Sequence, residues 1–154
     1  MEIRPIAALD RAQLAALLER IETFSKEEVT CALELVDLAI QGSNDYQILL
    51  ADREGAVVGY ICYGPTPMTE GTFDLYWIAT DPQVRGQGVG ASMVAAMEGD
   101  IRRRNGRLVR VETSAMEAYG PTHGFYASMK YKEEGRFRDF YKEGEDLIIL
   151  GKRM

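Results

Sequence analysis

Cysteine and histidine are scarce in this chain of 154 residues: Cys31 and Cys62 are its only thiols and His123 its only imidazole. No Cys-x-x-Cys pair occurs and no histidine stands beside either cysteine, which excludes the common zinc sites, so no metal is expected. Two isolated thiols fit a reducing compartment, and both read as buried fillers. Long apolar runs are also missing. The longest uncharged stretch, Gly55 to Thr69, contains glycine and proline and is shorter than the roughly 18 apolar residues of a membrane span. The opening residues MEIRPIAALD lack a positive start followed by an apolar run, so no secretory leader and a cytoplasmic location are expected. No repeat, low-complexity tract or Pro/Gly/Ser-rich linker divides the chain, and residues 1–154 read as one domain.

Positive charge is sparse in the first half. Before Arg85 there are 5 basic and 14 acidic residues, and from Arg85 onward 13 and 10, for an overall charge of −6. That balance, with a pI near 4.9, argues against a general nucleic-acid or anionic-membrane binder. The later part could still hold an anion, and the arginines from Arg102 to Arg107 are candidates on charge alone. With 46% hydrophobic residues the composition is that of an ordinary globular chain. At this length a core forms without disulfide or metal staples.

Periodicity marks the elements. Glu2 to Ala7 reads as a strand, and Leu14, Leu17, Leu18 and Ile21 recur at helical spacing from about Leu9. Ser25-Lys26-Glu27-Glu28 forms a capping box that starts a second helix with the stripe Val29, Leu33, Val36 and Ile40, ended at Gly42. Strands follow at Tyr46–Ala51, Ala56–Tyr63 and Phe73–Thr80, as an antiparallel meander. A helix with the stripe Val89, Met93, Met97 and Ile101, closed by Asn105-Gly106, leads to a strand at Leu108–Thr113. Because strand, helix and strand follow in succession, the fourth and fifth strands should be parallel and joined by a right-handed crossover. A helix near Tyr119–Met129 and strands near Arg136–Tyr141 and Leu147–Gly151, joined by a hairpin at Glu143 to Asp146, complete an α/β chain of the α+β kind. Its central sheet of about seven strands is mixed and mostly antiparallel, with flanking helices.

Between a strand and a helix lies Arg85-Gly86-Gln87-Gly88-Val89-Gly90-Ala91. Glycines there let the backbone approach a ligand and present a row of N–H donors at a helix start, the makings of a diphosphate cradle. No Lys-Ser/Thr follows the last glycine, as a kinase-type phosphate loop needs, and no GxGxxG occurs, as a dinucleotide site needs. Arg85-x-x-Gly88-x-Gly90 instead matches the Q/RxxGxG/A signature, and the stretch IATDPQVRGQGVG resembles the most recognisable segment, of the GNAT superfamily of acyl-CoA-dependent N-acetyltransferases. The element order over essentially the whole chain is similar to the GNAT fold. His123 to Tyr131 resembles the FYxxxGF segment of that family, with Lys130 where glycine is usual, Tyr131 where phenylalanine is usual, and Tyr119 in place of a frequent asparagine. The departure at Lys130 bears on the local turn, and that at Tyr119 removes an expected cofactor contact.

The resemblance implies that the fourth and fifth strands splay and admit acetyl-CoA. Its pantetheine would pair with backbone near Ile78, Ala79 and Thr80, and its diphosphate would meet the N–H groups from Gly86 through Gln87, Gly88, Val89 and Gly90 to Ala91, with Arg85 beside it. An ammonium with a pKa near 10.4 must lose its proton to attack, so a base is useful. Acidic residues inside otherwise apolar strands stand out, which names Glu112 first and Asp74 second, with Arg110 as a competing partner and a water chain as the third choice. A backbone N–H near Ile78 suits the developing negative charge, and a phenol can protonate the departing sulfur. Tyr126 falls on the tyrosine of the family's FY pair and is the candidate acid. Glu22, Glu27, Glu28, Asp139, Glu143, Glu145 and Asp146 border the expected acceptor side, which suits a cationic amine, and Tyr76, Trp77, Phe140 and Tyr141 are candidate walls.

The expected activity is direct transfer of an acetyl group to a primary amine of a small molecule or peptide in a ternary complex, since neither cysteine lies in the motif set. The pieces FDLYWIA, VETS and RDFY resemble compact prokaryotic members that act on small amino acids such as D-alanine. The resemblance also implies a homodimer through the closing strands. A non-catalytic acyl-CoA-binding sensor or interaction module would use the same cradle. The missing Gly-Lys-Ser/Thr counts against a nucleotide-binding enzyme.

Overall fold

The run VVGYICYG has apolar side chains at successive positions, so both faces of its strand have to be covered. In the computed structural model, which describes residues 1–154, that strand is β3 (Ala56–Pro65), buried at every position but its two ends. Tyr60 and Cys62 enter one core with Leu14, Leu17, Leu18 and Val36, while Ile61 and Tyr63 enter a second with Met93, Met97 and Ile101. Flanking strands are β1 (Glu2–Pro5), β2 (Gln47–Arg53), β4 (Thr72–Thr80), β5 (Leu108–Ser114), β6 (Lys132–Lys142) and β7 (Glu145–Arg153). They form one sheet in the order β1-β2-β3-β4-β5-β7-β6. Only β4 and β5 are parallel, as the strand-helix-strand succession requires.

Helices α1 (Arg11–Glu19) and α2 (Lys26–Ile40) cover one face, and α3 (Val89–Arg103) and α4 (Gly120–Ser128) belong to the other. The expected stripe of α3 is fully buried. Ser25 caps α2 as expected: its hydroxyl accepts the Glu28 N–H at 3.1 Å and the Glu28 carboxylate accepts the Ser25 N–H at 3.2 Å. No helix is long and apolar enough to cross a membrane.

Several local expectations change. The first strand ends at Pro5, because Asp10 accepts the Ala7 N–H at 2.8 Å and folds Ala8–Asp10 into a 3₁₀ turn before α1. On α2 the residues driven deepest are Ala32 and Val36, so Cys31 turns outward and is exposed, and only Cys62 is the buried filler. The closing strands are longer than their periodicity suggested, and the turn shrinks to Glu143-Gly144, since Lys142 pairs with Glu145. β6 is an edge strand exposed along nearly its whole length, which removes the apolar alternation by which a strand is read. Between Phe137 and Lys142 it bulges: four residues stand opposite Asp146, whose carboxylate accepts the Asp139 N–H at 3.0 Å and Arg136 at 3.0 Å.

Three helices end alike. Gly42, Asn105 and Lys130 adopt left-handed φ of 88°, 61° and 73°, and the following residue reaches back to the carbonyl five positions earlier, as in a Schellman motif. Lys130 keeps the turn without glycine, at the conformational cost of a side chain in this region. Lys130→Gly removes about 1–2 kcal/mol of left-handed cost and adds about 0.4–1 kcal/mol of unfolded-chain entropy, so a gain of about 0.5–1 kcal/mol is expected. Urea unfolding checks this; an unchanged or lower midpoint contradicts it.

Candidate functional site

The segment leaving β4 is anchored before its glycines begin. Asp81 donates its N–H to the Val58 carbonyl at 2.8 Å, and its carboxylate accepts the Gln83 N–H at 2.9 Å and the Arg20 guanidinium at 2.6 Å. Pro82–Val84 then makes a 3₁₀ turn, Arg85 is extended, and Gly86 and Gly88 take left-handed φ of 77° and 81°. Nothing lies within 4 Å of where a Cβ would stand on either glycine, so the cradle is open and the backbone angle is what calls for glycine. At Gly90, by contrast, a Cβ would meet the Phe125 ring at 3.2 Å, so absence of a side chain lets α4 close on the loop.

No protein group accepts from the backbone N–H groups of Gly86 to Ala91. They sit at the start of the 15-residue α3, whose first turn holds no acidic residue and whose last turn holds Arg102 and Arg103. Helix dipole and free donors therefore agree on an anion at this end. Arg85 is exposed and in no ion pair. The Arg102–Arg107 cluster, a candidate on charge, lies at the far end of α3, about 22 Å away at 1.5 Å per residue. Its members are also engaged: Arg102 with Glu98, Arg103 and Arg104 with Asp100, and Arg107 with the Glu70 carbonyl. That expectation is corrected.

Beside the loop the sheet opens. Parallel pairing joins Thr72–Leu75 to Leu108–Val111 and stops, although β4 runs on to Thr80 and β5 to Ser114. On the β3 side the register slips at the same place: Tyr63 faces Leu75 but Cys62 faces Trp77, which leaves Tyr76 as the extra residue of a bulge. Ile78 and Thr80 consequently have backbone groups toward β5 that no strand satisfies, whereas the main chain of Ala79, like that of Asp81, turns to β3, which corrects the expectation of a third free residue there. Ile78 packs on the α3 side and Ala79 on the α1–α2 side.

Tyr126 on α4 is buried, with its ring edge-on to Phe125 at 5.3 Å and to Tyr131 at 5.6 Å. Burial alone pushes its phenol well above the usual value, so the group is protonated at neutral pH and its hydroxyl is free of protein partners.

Asp74 and Glu112 differ sharply. Asp74 is buried and its carboxylate accepts Arg110 Nε at 2.6 Å and the Thr66 hydroxyl at 2.7 Å. Glu112 is exposed, with Arg110 only within 3.8 Å. Val109 and Val111 face the α3 core, so Arg110 and Glu112 face away from it. The β6 bulge carries Tyr141 to the same region. Burial first, then Glu112, Glu145, Tyr119 and Glu28, push its phenol upward, and burial with Glu28 and Glu145 does so for Tyr119. Two phenols and three carboxylates are thus neighbours, Glu145 among them accepting the Ser114 hydroxyl at 2.7 Å. Tyr76 stacks edge-on against Tyr46 at 5.4 Å, and burial followed by Asp74 pushes it up to about 12. Trp77 belongs to the other core, against Phe24 at 5.3 Å. Asp139 and Asp146 are used within the hairpin.

Two residues were not anticipated. Asp81 sets the loop entrance, and the Asp-Pro pair that starts a turn is the signal that could have found it. His123 donates its Nε2–H to the Ser114 carbonyl at 2.7 Å and so tethers α4 to the end of β5.

A family model for the acetyltransferase (GNAT) domain matches residues 44–133. An uncharacterised N-acetyltransferase of Methanocaldococcus jannaschii is 28% identical over 107 residues, a match that covers 68% of this chain and spans 64% of that protein. Among solved structures, a GNAT-family protein of Desulfovibrio desulfuricans is 35% identical, with TM-score 0.95, covering 99% of this chain and 98% of the other. The ribosomal-protein-S18-alanine N-acetyltransferase of Escherichia coli has TM-score 0.78 at 21% identity, covering 99% and 92%, a likeness of fold.

Asp81 gives a pH test. The Gln83 N–H first, and then Arg20, hold its carboxyl below the ordinary 3.8, against the opposing effect of burial. A lowered folded value means that its stabilisation is complete above the unfolded value and lost as pH falls through the folded one. The difference in melting temperature between the wild type and Asp81→Asn is therefore expected to be largest at neutral pH and to shrink below about pH 4. A difference constant down to pH 2 contradicts this assignment.

Proposed function

Because the chain belongs to the GNAT acetyltransferase family, whose members are acyl-CoA-dependent acetyltransferases, we propose that it moves an acetyl group from acetyl-CoA directly to a primary amine in a ternary complex. The observation that carries this reading is the row of unpartnered N–H groups from Gly86 to Ala91 at the positive end of α3, next to the unpaired edge of β4. These residues fit the donor: left-handed glycines leave the cradle open, and no acidic side chain opposes an anion there. Acetyl-CoA supplies the acyl group as a thioester.

In this reading Gly86 to Ala91 hold the diphosphate, and Arg85 adds positive charge. Ile78 and Thr80 offer main-chain groups to the pantetheine, with Ala79 between them held to β3, and the Ile78 amide donates to the thioester oxygen as negative charge gathers there. Glu112 accepts a proton from the acceptor ammonium, directly or through water. That deprotonation costs about 4 kcal/mol at neutral pH, three units at 1.36 kcal/mol each. As the N–C bond forms and the C–S bond breaks, Tyr126 gives its phenolic proton to the sulfur, the proton shed by the acetylated nitrogen restores the phenol, and Glu112 passes its own proton to water. Asp74, engaged by Arg110 and Thr66, orients Arg110 rather than serving as base. The grouping of Tyr119, Tyr141, Glu28, Glu112 and Glu145 supports a cationic acceptor, either a small molecule or a peptide.

Thiol release from acetyl-CoA with an alanine-initiated peptide, D-alanine, spermidine and an aminoglycoside tests the reading. At least one amine is expected to support turnover; coenzyme A binding without thiol release from any of them favours a sensor. Gly88→Val is expected to weaken coenzyme A binding about tenfold or more in calorimetry, from about 1–2 kcal/mol of left-handed cost. With the best amine, Tyr126→Phe and Glu112→Gln are each expected to lower kcat by about 100-fold, the lower end of general acid–base effects. Wild-type kcat in Tyr126→Phe rules out the phenolic acid.

A further inference from the structure

One buried carboxylate has no part in the loop or in the group around Tyr141. Glu98, in the middle of α3, is 4% exposed. Its oxygens accept Lys152 Nζ at 2.8 and 3.1 Å and the Tyr131 hydroxyl at 2.9 Å, with Arg102 at 3.7 Å on its outer side. A buried charge is costly unless fully partnered, and apolar residues often replace such a group without loss of stability, so its partners are where a use for it is to be sought. Lys152 neutralises it and also stands 5.6 Å over the Tyr131 ring. Tyr131 therefore has its ring held from one face and its hydroxyl held at the tip.

What Tyr131 touches next is Tyr126. The two rings meet edge to face at 5.6 Å, and the Tyr131 N–H donates to the Tyr126 carbonyl at 3.0 Å, the long bond of the Schellman turn that Lys130 makes in its left-handed conformation. Apolar contact between these same two positions is a regular companion of that motif. The Tyr126 hydroxyl has no protein hydrogen bond, so its ring is aimed by what packs around it in the core, the neighbouring aromatic rings being Phe125, which also closes on Gly90, and Tyr131. A phenylalanine at position 131 would supply the packing and the main-chain bond but not the tether to α3.

We propose that Tyr131, anchored through its hydroxyl to Glu98 and Lys152, is a positioning residue that fixes the orientation of the Tyr126 phenol relative to α3 and its phosphate-binding end. This inference rests on the reading of Tyr126 as the acid, and it adds a second point, besides Phe125 at Gly90, at which the element carrying the acid is tied to the element carrying the donor's diphosphate. Misplacing a reacting group by about 1 Å can cost as much as about 100-fold in rate, so an anchor one residue removed from the chemistry is kinetically visible.

Tyr131→Phe, which removes one oxygen and keeps the ring, tests this in the full chain. With the amine that is turned over fastest, kcat is expected to fall about five- to tenfold, while KM for acetyl-CoA stays within about twofold. In a Tyr126→Phe background the same change is expected to have no further effect on kcat, since Tyr131 acts through Tyr126. Independently of turnover, the aromatic ¹³C spectrum of tyrosine-labelled protein is expected to report faster ring flipping of Tyr126 in Tyr131→Phe. A Tyr126 flip rate unchanged in Tyr131→Phe, or a kcat loss as large in the Tyr126→Phe background as in the wild type, overturns the proposal. Wild-type kcat in Tyr126→Phe alone removes the acid role instead, and faster Tyr126 flipping in Tyr131→Phe then still supports the anchoring.

Discussion

Everything at the site depends on a parallel pairing that stops early. After Leu75 and Val111, β4 and β5 no longer share hydrogen bonds, because a bulge at Tyr76 changes the course of β4 while β5 stays paired with β7 to its end. Main-chain donors and acceptors of β4 that an ordinary sheet would consume are left for something else, and unsatisfied backbone groups inside a protein demand a partner. The Gly86–Gly88 loop follows within a few residues of the same strand, so two sets of free main-chain groups face one opening. An extended ligand with an anion at one end and amides along its length matches that arrangement.

Charge is distributed around this opening by neutralisation elsewhere. Four of the fourteen acidic residues before Arg85 are matched by arginines of the same part: Arg4 bridges Asp10 and Asp52, Arg11 meets Asp37, and Arg20 meets Asp81. The exposed Arg11–Asp37 pair contributes little stability, whereas Asp10 and Asp81 are buried beneath their arginines. The consequence of such pairing is which carboxylates remain free. Arg110 goes to Asp74 at 2.6 Å rather than to Glu112 at 3.8 Å, which leaves Glu112 beside Tyr141 without a close ion-pair partner. On the opposite face Glu98 is fully occupied, and its partners serve α4 instead of a substrate.

Much of the architecture was legible because it is encoded locally. Ser25 and Glu28 cap α2 through groups three residues apart, Val89, Met93, Met97 and Ile101 recur once per turn, and the parallel crossover follows from strand, helix and strand in succession. β6 was only partly legible, since an exposed edge strand needs no apolar alternation. Cys31 was misread because the buried stripe of α2 turns on Ala32 and Val36, and the arginines after Ile101 because charge alone does not show that Glu98 and Asp100 already take them, at the end of α3 away from the glycines.

By itself the sequence determined the order of elements, the left-handed glycines of the anion cradle and the aromatic pair at Phe125 and Tyr126, since each depends on residues within a turn or two of one another. Tertiary structure alone decided where β4 and β5 part, which carboxylate Arg110 takes and which way the Tyr126 phenol is held. Those outcomes compare contacts between residues tens of positions apart, and competition among such contacts is resolved only when the sheet and both helical layers are in place.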